Sequence, residues 1–160
     1  MASRLLSTAD PKLAQLATEL MASYAKRFGP WQLIITNVSR SPLEQEALYA
    51  QGRVESKMEL NAIRERAGLQ PIYSEKEAHR KVTWTRNSRH NMVPSHAVDF
   101  AVALDPDGPD GPLKPVIDWE DIGRYEAMGE LAKELGLVWG GDWGRKDLCH
   151  VELPPTGKDD

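Results

Sequence analysis

The chain has 160 residues, 41% of them hydrophobic and 28% charged, a balance and length that suit one compact domain able to fold without staples. A formal net charge of −4 offers no electrostatic basis for binding nucleic acid or an anionic lipid surface. The lone cysteine, Cys149, excludes an internal disulfide, and no stretch approaches the roughly 20 apolar residues of a membrane span.

In chain order, the opening MASRLLSTADPKLAQ lacks the apolar run of a secretory signal. Asp10 and Pro11 then suit the cap and first turn of a helix. Leu13, Leu16, Ala17, Leu20, Met21 and Tyr24 share one face of it, and Gly29-Pro30 ends it. Trp31 to Thr36 (WQLIIT) reads as a buried strand. Ser41-Pro42 opens a second helix whose inner side is expected to carry Leu43, Ala47 and Leu48. Residues 54–80 form a charged, helical insert, with Ser56/Glu59 and Ser74/Glu77 as capping boxes. It is expected to be either a solvated surface excursion or a rim or lid over a cleft.

His96 to Leu104 (HAVDFAVAL) reads as a central strand, and Asp105 to Pro112 as a turn-rich loop. A last helix is expected from near Asp118 to Gly136, followed by short strands at 137–139 and 150–153. There is no repeat or long linker. These elements predict an α+β fold, a small antiparallel sheet flanked by helices, in one domain over residues 1–160 with no second, separate domain.

Two histidines and an aspartate form the sharpest chemical candidate. A catalytic zinc takes three protein ligands and keeps one position for water. Strand alternation puts Asp99 on the face of Ala97 and Ala101, and turns His96 away with Val98 and Phe100. His79 lies among charges in Glu77-Ala78-His79-Arg80-Lys81 and reads as a surface residue. That leaves His90 and His150 beside Asp99, either as a metal site or as a polar core cluster with an exposed histidine. Cys149, next to His150 on its strand, should face away from it as a structural thiol. Trp139 and Trp143 flank Gly140-Gly141, where the backbone can come close to a ligand, so both are candidates for a cleft wall, with Asp142 between them able to reach the same cleft.

Ser88-x-His90, Ala97-x-Asp99 and Asp147-x-x-His150, in that order, resemble the VanY-like zinc peptidases. This is the D-alanyl-D-alanine carboxypeptidase and L-alanyl-D-glutamate peptidase family, which includes many phage endolysins. Ser39-Arg40-Ser41-Pro42-x-x-Gln45-x-x-Leu48-Tyr49 is similar to the family's arginine segment, and Ile117-Asp118-Trp119 with Trp139-Gly140-Gly141-Asp142-Trp143 to a phage-encoded branch. The resemblance spans residues 6–153. It implies a fold of the D-alanyl-D-alanine metallopeptidase/hedgehog type and one zinc per chain on His90, Asp99 and His150. It further implies Asp147 as general base, Arg40 steadying the charge that develops on the substrate carbonyl, and Ser88 near the substrate.

The activity so implied is zinc-dependent hydrolysis of an L-alanyl-D-glutamate or D-alanyl bond in bacterial peptidoglycan for host lysis. The enzyme would be a monomer made in the host cytoplasm and released through a holin. The alternatives are a bacterial D-alanyl-D-alanine carboxypeptidase of wall recycling, or an inactive zinc-containing protein that binds the wall. Two departures from the common pattern stand out. Asn91-Met92-Val93-Pro94-Ser95-His96 lengthens the gap between the first histidine and Asp99, and the 54–80 insert is long.

Overall fold

Asp10 accepts a hydrogen bond from the Lys12 backbone N–H at 2.8 Å, and Pro11 supplies the first helical position, so α1 (Pro11–Phe28) starts where the sequence predicts. The computed structural model describes residues 3–105 and 111–155, so most of the turn-rich loop expected at 105–112 lies outside the described residues. Five strands follow: β1 (Trp31–Asn37), β2 (Ala97–Leu104), β3 (Val116–Asp118), β4 (Val138–Trp139) and β5 (His150–Glu152). All pairings are antiparallel, in the order β1-β2-β5-β4, with β3 also paired to β2.

Alternation along β2 divides the molecule into a core side and a site side. Val98, Phe100 and Val102 join the hydrophobic core, which α1 closes with Leu13, Ala17, Leu20 and Tyr24. The last helix, α5 (Ile122–Glu134), closes it with Tyr125, Met128, Leu131 and Ala132. Burying side chains of this size contributes about 1.5–3 kcal/mol each before entropy is counted. The opposite face of β2 carries Ala97, Asp99, Ala101 and Ala103, and small alanines there leave room above the one carboxylate. Tyr125 crosses the seam between elements, its hydroxyl donating to the Asp118 carbonyl at 2.6 Å and accepting from the Val102 N–H at 3.2 Å.

Three expectations need correction. β1 is mostly half-buried, with only Leu33 fully enclosed, because it pairs with β2 alone and stands at the sheet edge. In α2 (Pro42–Ala50) the inner residues are Glu44, Gln45 and Ala47, while Leu43 is 61% exposed, since this helix packs its polar side towards the site. Asp118 ends β3 instead of starting a helix. Its carboxylate accepts from the Glu120 and Asp121 N–H groups and makes the turn that leads into α5. Gly136, at φ +85°, closes α5 as expected.

The insert forms α3 (Lys57–Arg66) and α4 (Glu75–Ala78), each capped by its serine. Glu77, expected to complete a capping box, pairs instead with Arg80 and Gln51. Gln51 is buried and donates to the Glu77 carbonyl at 2.8 Å, so the insert is fastened to the end of α2.

Gly129 on α5 lies against the Trp139 ring, so closely that a Cβ there would overlap the indole. Gly129→Ala is therefore expected to destabilise the fold by about 1–3 kcal/mol through overpacking. Thermal unfolding should show a lower melting temperature, and an unchanged one would mean that the indole moves aside freely.

Candidate metal centre

β2 and β5 pair with Asp99 opposite His150 and Ala97 opposite Glu152. Residues directly opposite share a face, so Asp99, His150 and Glu152 all stand on the side away from the core. His150 Nδ1 lies 3.1 Å from Asp99 Oδ1. His90 arrives from a short 3₁₀ turn, residues 89–91, entered through Ser88: the Ser88 Oγ accepts from the His90 N–H, and the Asn91 side chain accepts from the Ser88 N–H. His90 Nε2 then lies 3.2 Å from the same oxygen of Asp99. The donor-type atoms of His90, Asp99 and His150 fall within 4.8 Å of one another, and the two imidazoles stand edge to face at 5.1 Å.

The second nitrogen of each ring decides what the first can do. His90 Nδ1 is 2.8 Å from the Val38 carbonyl oxygen. A carbonyl only accepts, so Nδ1 carries the hydrogen and Nε2 presents its lone pair to the site. Nε2 is buried and makes no hydrogen bond. His150 Nε2 is 2.8 Å from Glu152 Oε1, and Arg89 holds the other Glu152 oxygen at 3.0 Å. A carboxylate in that position keeps the hydrogen on Nε2 and leaves Nδ1 free to ligate. Two imidazole lone pairs and a carboxylate oxygen therefore converge on one point, an arrangement that a divalent cation completes.

Charge agrees with geometry. Burial opposes ionisation of Asp99, but its interactions with the His150 and His90 rings outweigh it and hold its carboxyl well below the usual carboxylate range. Burial likewise opposes the charged form of His150, yet Asp99 and Glu152 push its pKa up to about 9, so in the absence of a cation Nδ1 holds a proton against Asp99, and a metal ligated there takes that proton's place.

Asp147 Oδ2 stands 4.0 Å from His150 Nδ1 at the half-exposed mouth of the site. Its backbone runs hard against Gly140, where a Cβ would collide with the Asp147 carbonyl, and its N–H donates to the Gly140 carbonyl at 2.9 Å. Its carboxyl is raised, first by the loss of solvent and then by the neighbouring negative charge of Asp99. That makes it a better proton acceptor than a free aspartate. Arg40 donates from its backbone N–H to the His90 carbonyl at 2.9 Å and from Nη1 to Gln45 Oε1 at 2.8 Å. Burial lowers its pKa, and the negative charges of Asp99, Glu44 and Asp147 offset that only in part.

These groups floor a cleft of about 710 Å³. Residues 82–85 and 87 line one wall, and Trp143 and 145–147 line another, with the Trp143 ring 5.0 Å from that of His150. Residues 54–80 do not line the cleft; the insert is the surface excursion, and the segment immediately after it is the rim. Ser88 lines the cleft as well as capping the His90 turn.

Two expected cleft residues lie elsewhere. Trp139 is buried at 5% exposure, packed on Gly129 and Gly141 with Nε1 donating to the Leu148 carbonyl at 2.9 Å, because the glycines admit the ring inward. Asp142 is exposed and pairs with Lys133 at 3.2 Å, outside the cleft. His79 is an exposed partner of Glu75, and His96 approaches Arg89 instead of Asp99. Cys149 is half-buried against the core, and burial pushes its thiol up to about 12, far from a reactive thiolate.

Sequence reasoning missed four parts of the site. Glu152 was legible, because it shares a strand face with His150 two residues away. Arg89 and Gln45 lay within segments already singled out, but nothing local marks them as braces. The Val38 carbonyl had no signal, since a backbone atom has no residue identity.

An α+β fold whose strands bring ligating lone pairs to the floor of an open cleft, beside a basic carboxylate and an arginine, defines a metal-dependent hydrolase. Residues 81–153 match the family model described as D-alanyl-D-alanine carboxypeptidase. The chain is 31% identical to the peptidoglycan L-alanyl-D-glutamate endopeptidase CwlK of Bacillus subtilis, in an alignment that covers 94% of this chain and 76% of that protein. The crystal structure of the Serratia marcescens L-Ala D-Glu endopeptidase ChiX shares the fold, with a TM-score of 0.51 at 22% identity over 93% of this chain and 83% of that one. The chain belongs to this D-alanyl-D-alanine carboxypeptidase family of metallopeptidases, which are hydrolases.

His90→Ala should abolish stoichiometric metal binding, whereas His96→Ala should keep it, because His90 stands with Asp99 and His150 while His96 lies against Arg89. Elemental analysis of the two purified variants checks this, and a metal-free His96→Ala would mean that strand β2 is differently registered in solution.

Proposed function

We propose that this chain is a zinc-dependent peptidoglycan endopeptidase that cuts the bond between L-alanine and D-glutamate, and that it serves in phage-driven lysis of a bacterial host. The observation that carries the metal assignment is the fixed pair of imidazole tautomers. Val38 and Glu152 occupy the outer nitrogens, so His90 Nε2 and His150 Nδ1 are left to bind zinc together with Asp99. The choice of bond rests on the 31% identity to a protein named for L-alanyl-D-glutamate cleavage. The lysis role rests on the likeness of the Trp139 to Trp143 segment to phage-encoded relatives, and in that setting a holin would give the enzyme access to the wall.

When bound, zinc supplies a Lewis acid that polarises the scissile carbonyl and acidifies water. The chain does the rest. Asp147, with its raised carboxyl at the mouth, takes a proton from the attacking water and returns it to the leaving amine. Arg40, braced by Gln45, opposes the negative charge that grows on the carbonyl oxygen. Trp143 shields one side of His150 from solvent. Cys149 packs against the core with its thiol held protonated, and with water as the attacking group no covalent intermediate is needed.

The description of the matching family favours a second reading, a carboxypeptidase that removes terminal D-alanine. Digestion of purified peptidoglycan followed by mass spectrometry separates the two. New amino-terminal D-glutamate supports the endopeptidase, and free D-alanine alone would replace it with the carboxypeptidase.

Removing metal with a chelator should end turnover, and one equivalent of zinc should restore it; full activity in the metal-free protein would overturn the zinc assignment. Asp147→Asn should keep both zinc and melting temperature while losing about 10²–10⁴ in rate, the usual cost of a missing general base. Near-normal turnover by the zinc-loaded variant would remove Asp147 from that role.

A further inference from the structure

The cleft also has a basic wall that the reaction as described leaves unused. Trp84 is 51% exposed at the rim, and three cations gather over its ring: the Arg145 guanidinium at 3.7 Å, Lys81 Nζ at 5.3 Å and the Arg53 guanidinium at 5.5 Å. Arg53 is already engaged, donating to the Tyr49 and Thr83 carbonyls at 2.6 and 3.1 Å. Arg145 is exposed and lines the cleft, and among the described residues no carboxylate pairs with it. The acids of the cleft, Asp99, Asp147 and Glu152, all stand on the metal side.

We propose that Arg145, stacked on Trp84, is the subsite that recognises a free carboxylate on the D-glutamyl residue at the leaving side of the scissile bond. This rests on the L-alanyl-D-glutamate reading above. The leaving amine belongs to D-glutamate and takes its proton from Asp147, so that residue must lie on the Asp147 side of the metal. Arg145 is two positions from Asp147 in the same segment and lines the same cleft. D-Glutamate has two carboxyl groups. Whichever one carries the chain onward, the other is a free anion beside the bond being cut unless it is amidated. A guanidinium centred 3.7 Å from an indole centroid is attracted to the ring face, and its N–H edge matches a carboxylate with two parallel hydrogen bonds. A carboxamide cannot replace it, because its NH₂ would face another donor.

The test compares two synthetic peptides with one L-alanyl-D-glutamate bond, identical except that the free carboxylate of D-glutamate is replaced by a carboxamide in the second. kcat/KM is measured for the zinc-loaded protein, Arg145→Gln and Lys146→Gln, with zinc content and melting temperature checked for each. The unaltered protein should prefer the carboxylate by about 10- to 100-fold, the range for a charge-assisted hydrogen bond. Arg145→Gln should lose that preference by slowing only on the carboxylate peptide, and Lys146→Gln should retain it. An equal rate on both peptides by the unaltered protein overturns the subsite, as does an undiminished preference in Arg145→Gln or a preference lost only in Lys146→Gln. In all three cases the L-alanyl-D-glutamate bond is still cut, so the proposed activity stands. If neither peptide is cut while a D-alanyl-D-alanine peptide is, the activity itself is misassigned and the subsite falls with it.

Discussion

Asp99 and His150 face each other across β2 and β5, and the chemistry of the cleft depends on that register. A slip of one residue would turn Asp99 into the core and bring Val98 or Phe100 to the site. The register is held from the other side of the sheet, where Val98, Phe100, Val102 and Val151 pack beneath α1 and α5. The hydrophobic core and the metal centre are thus two faces of the same strands. A carboxylate and two imidazoles can be kept largely dry here because the apolar face beneath them cannot rotate.

A polar frame outside the ligands finishes what the register begins. The β1–β2 ladder is irregular between Ile35 and Asn37, and just past that point the Val38 carbonyl accepts from both His90 Nδ1 and the Ser95 hydroxyl. Glu152 sets the tautomer of His150 and is itself held by Arg89, which also reaches the Leu153 carbonyl at 3.0 Å. Gln45, fully buried, accepts from Arg40 and donates to the Thr85 carbonyl at 2.6 Å, so the arginine and the far wall of the cleft share one brace. Each member would be costly to bury alone, and each is satisfied by the next. The polar inner face of α2 follows from this, and so does the exposure of Leu43.

The cleft is also electrically divided. Its metal side collects Asp99, Asp147 and Glu152, and its rim carries Arg145 and Lys146 beside the exposed Trp84. The Trp84 part of the rim belongs to the segment that follows the 54–80 insert. The insert reaches the cleft only indirectly, through Gln51 and through the Gly52 N–H, which donates to the Ala78 carbonyl.

The sequence by itself determined the elements with local causes. Asp10-Pro11 starts α1, Ser41-Pro42 starts α2, Gly136 ends α5, and the alternation of HAVDFAVAL separates Asp99 from His96. Motif order, by resemblance, pointed to His90, Asp99, His150, Asp147 and Arg40, and the fold brings all five to one cleft. Tertiary structure decided everything that depends on which segments meet. It placed β1 at an edge, made Asp118 a turn instead of a helix start, and drew Trp139 into the core against two glycines while Trp143 stayed at the site. It also supplied the tautomers, because the acceptor for His90 is a backbone carbonyl 52 residues away, and no side-chain pattern records where a carbonyl points.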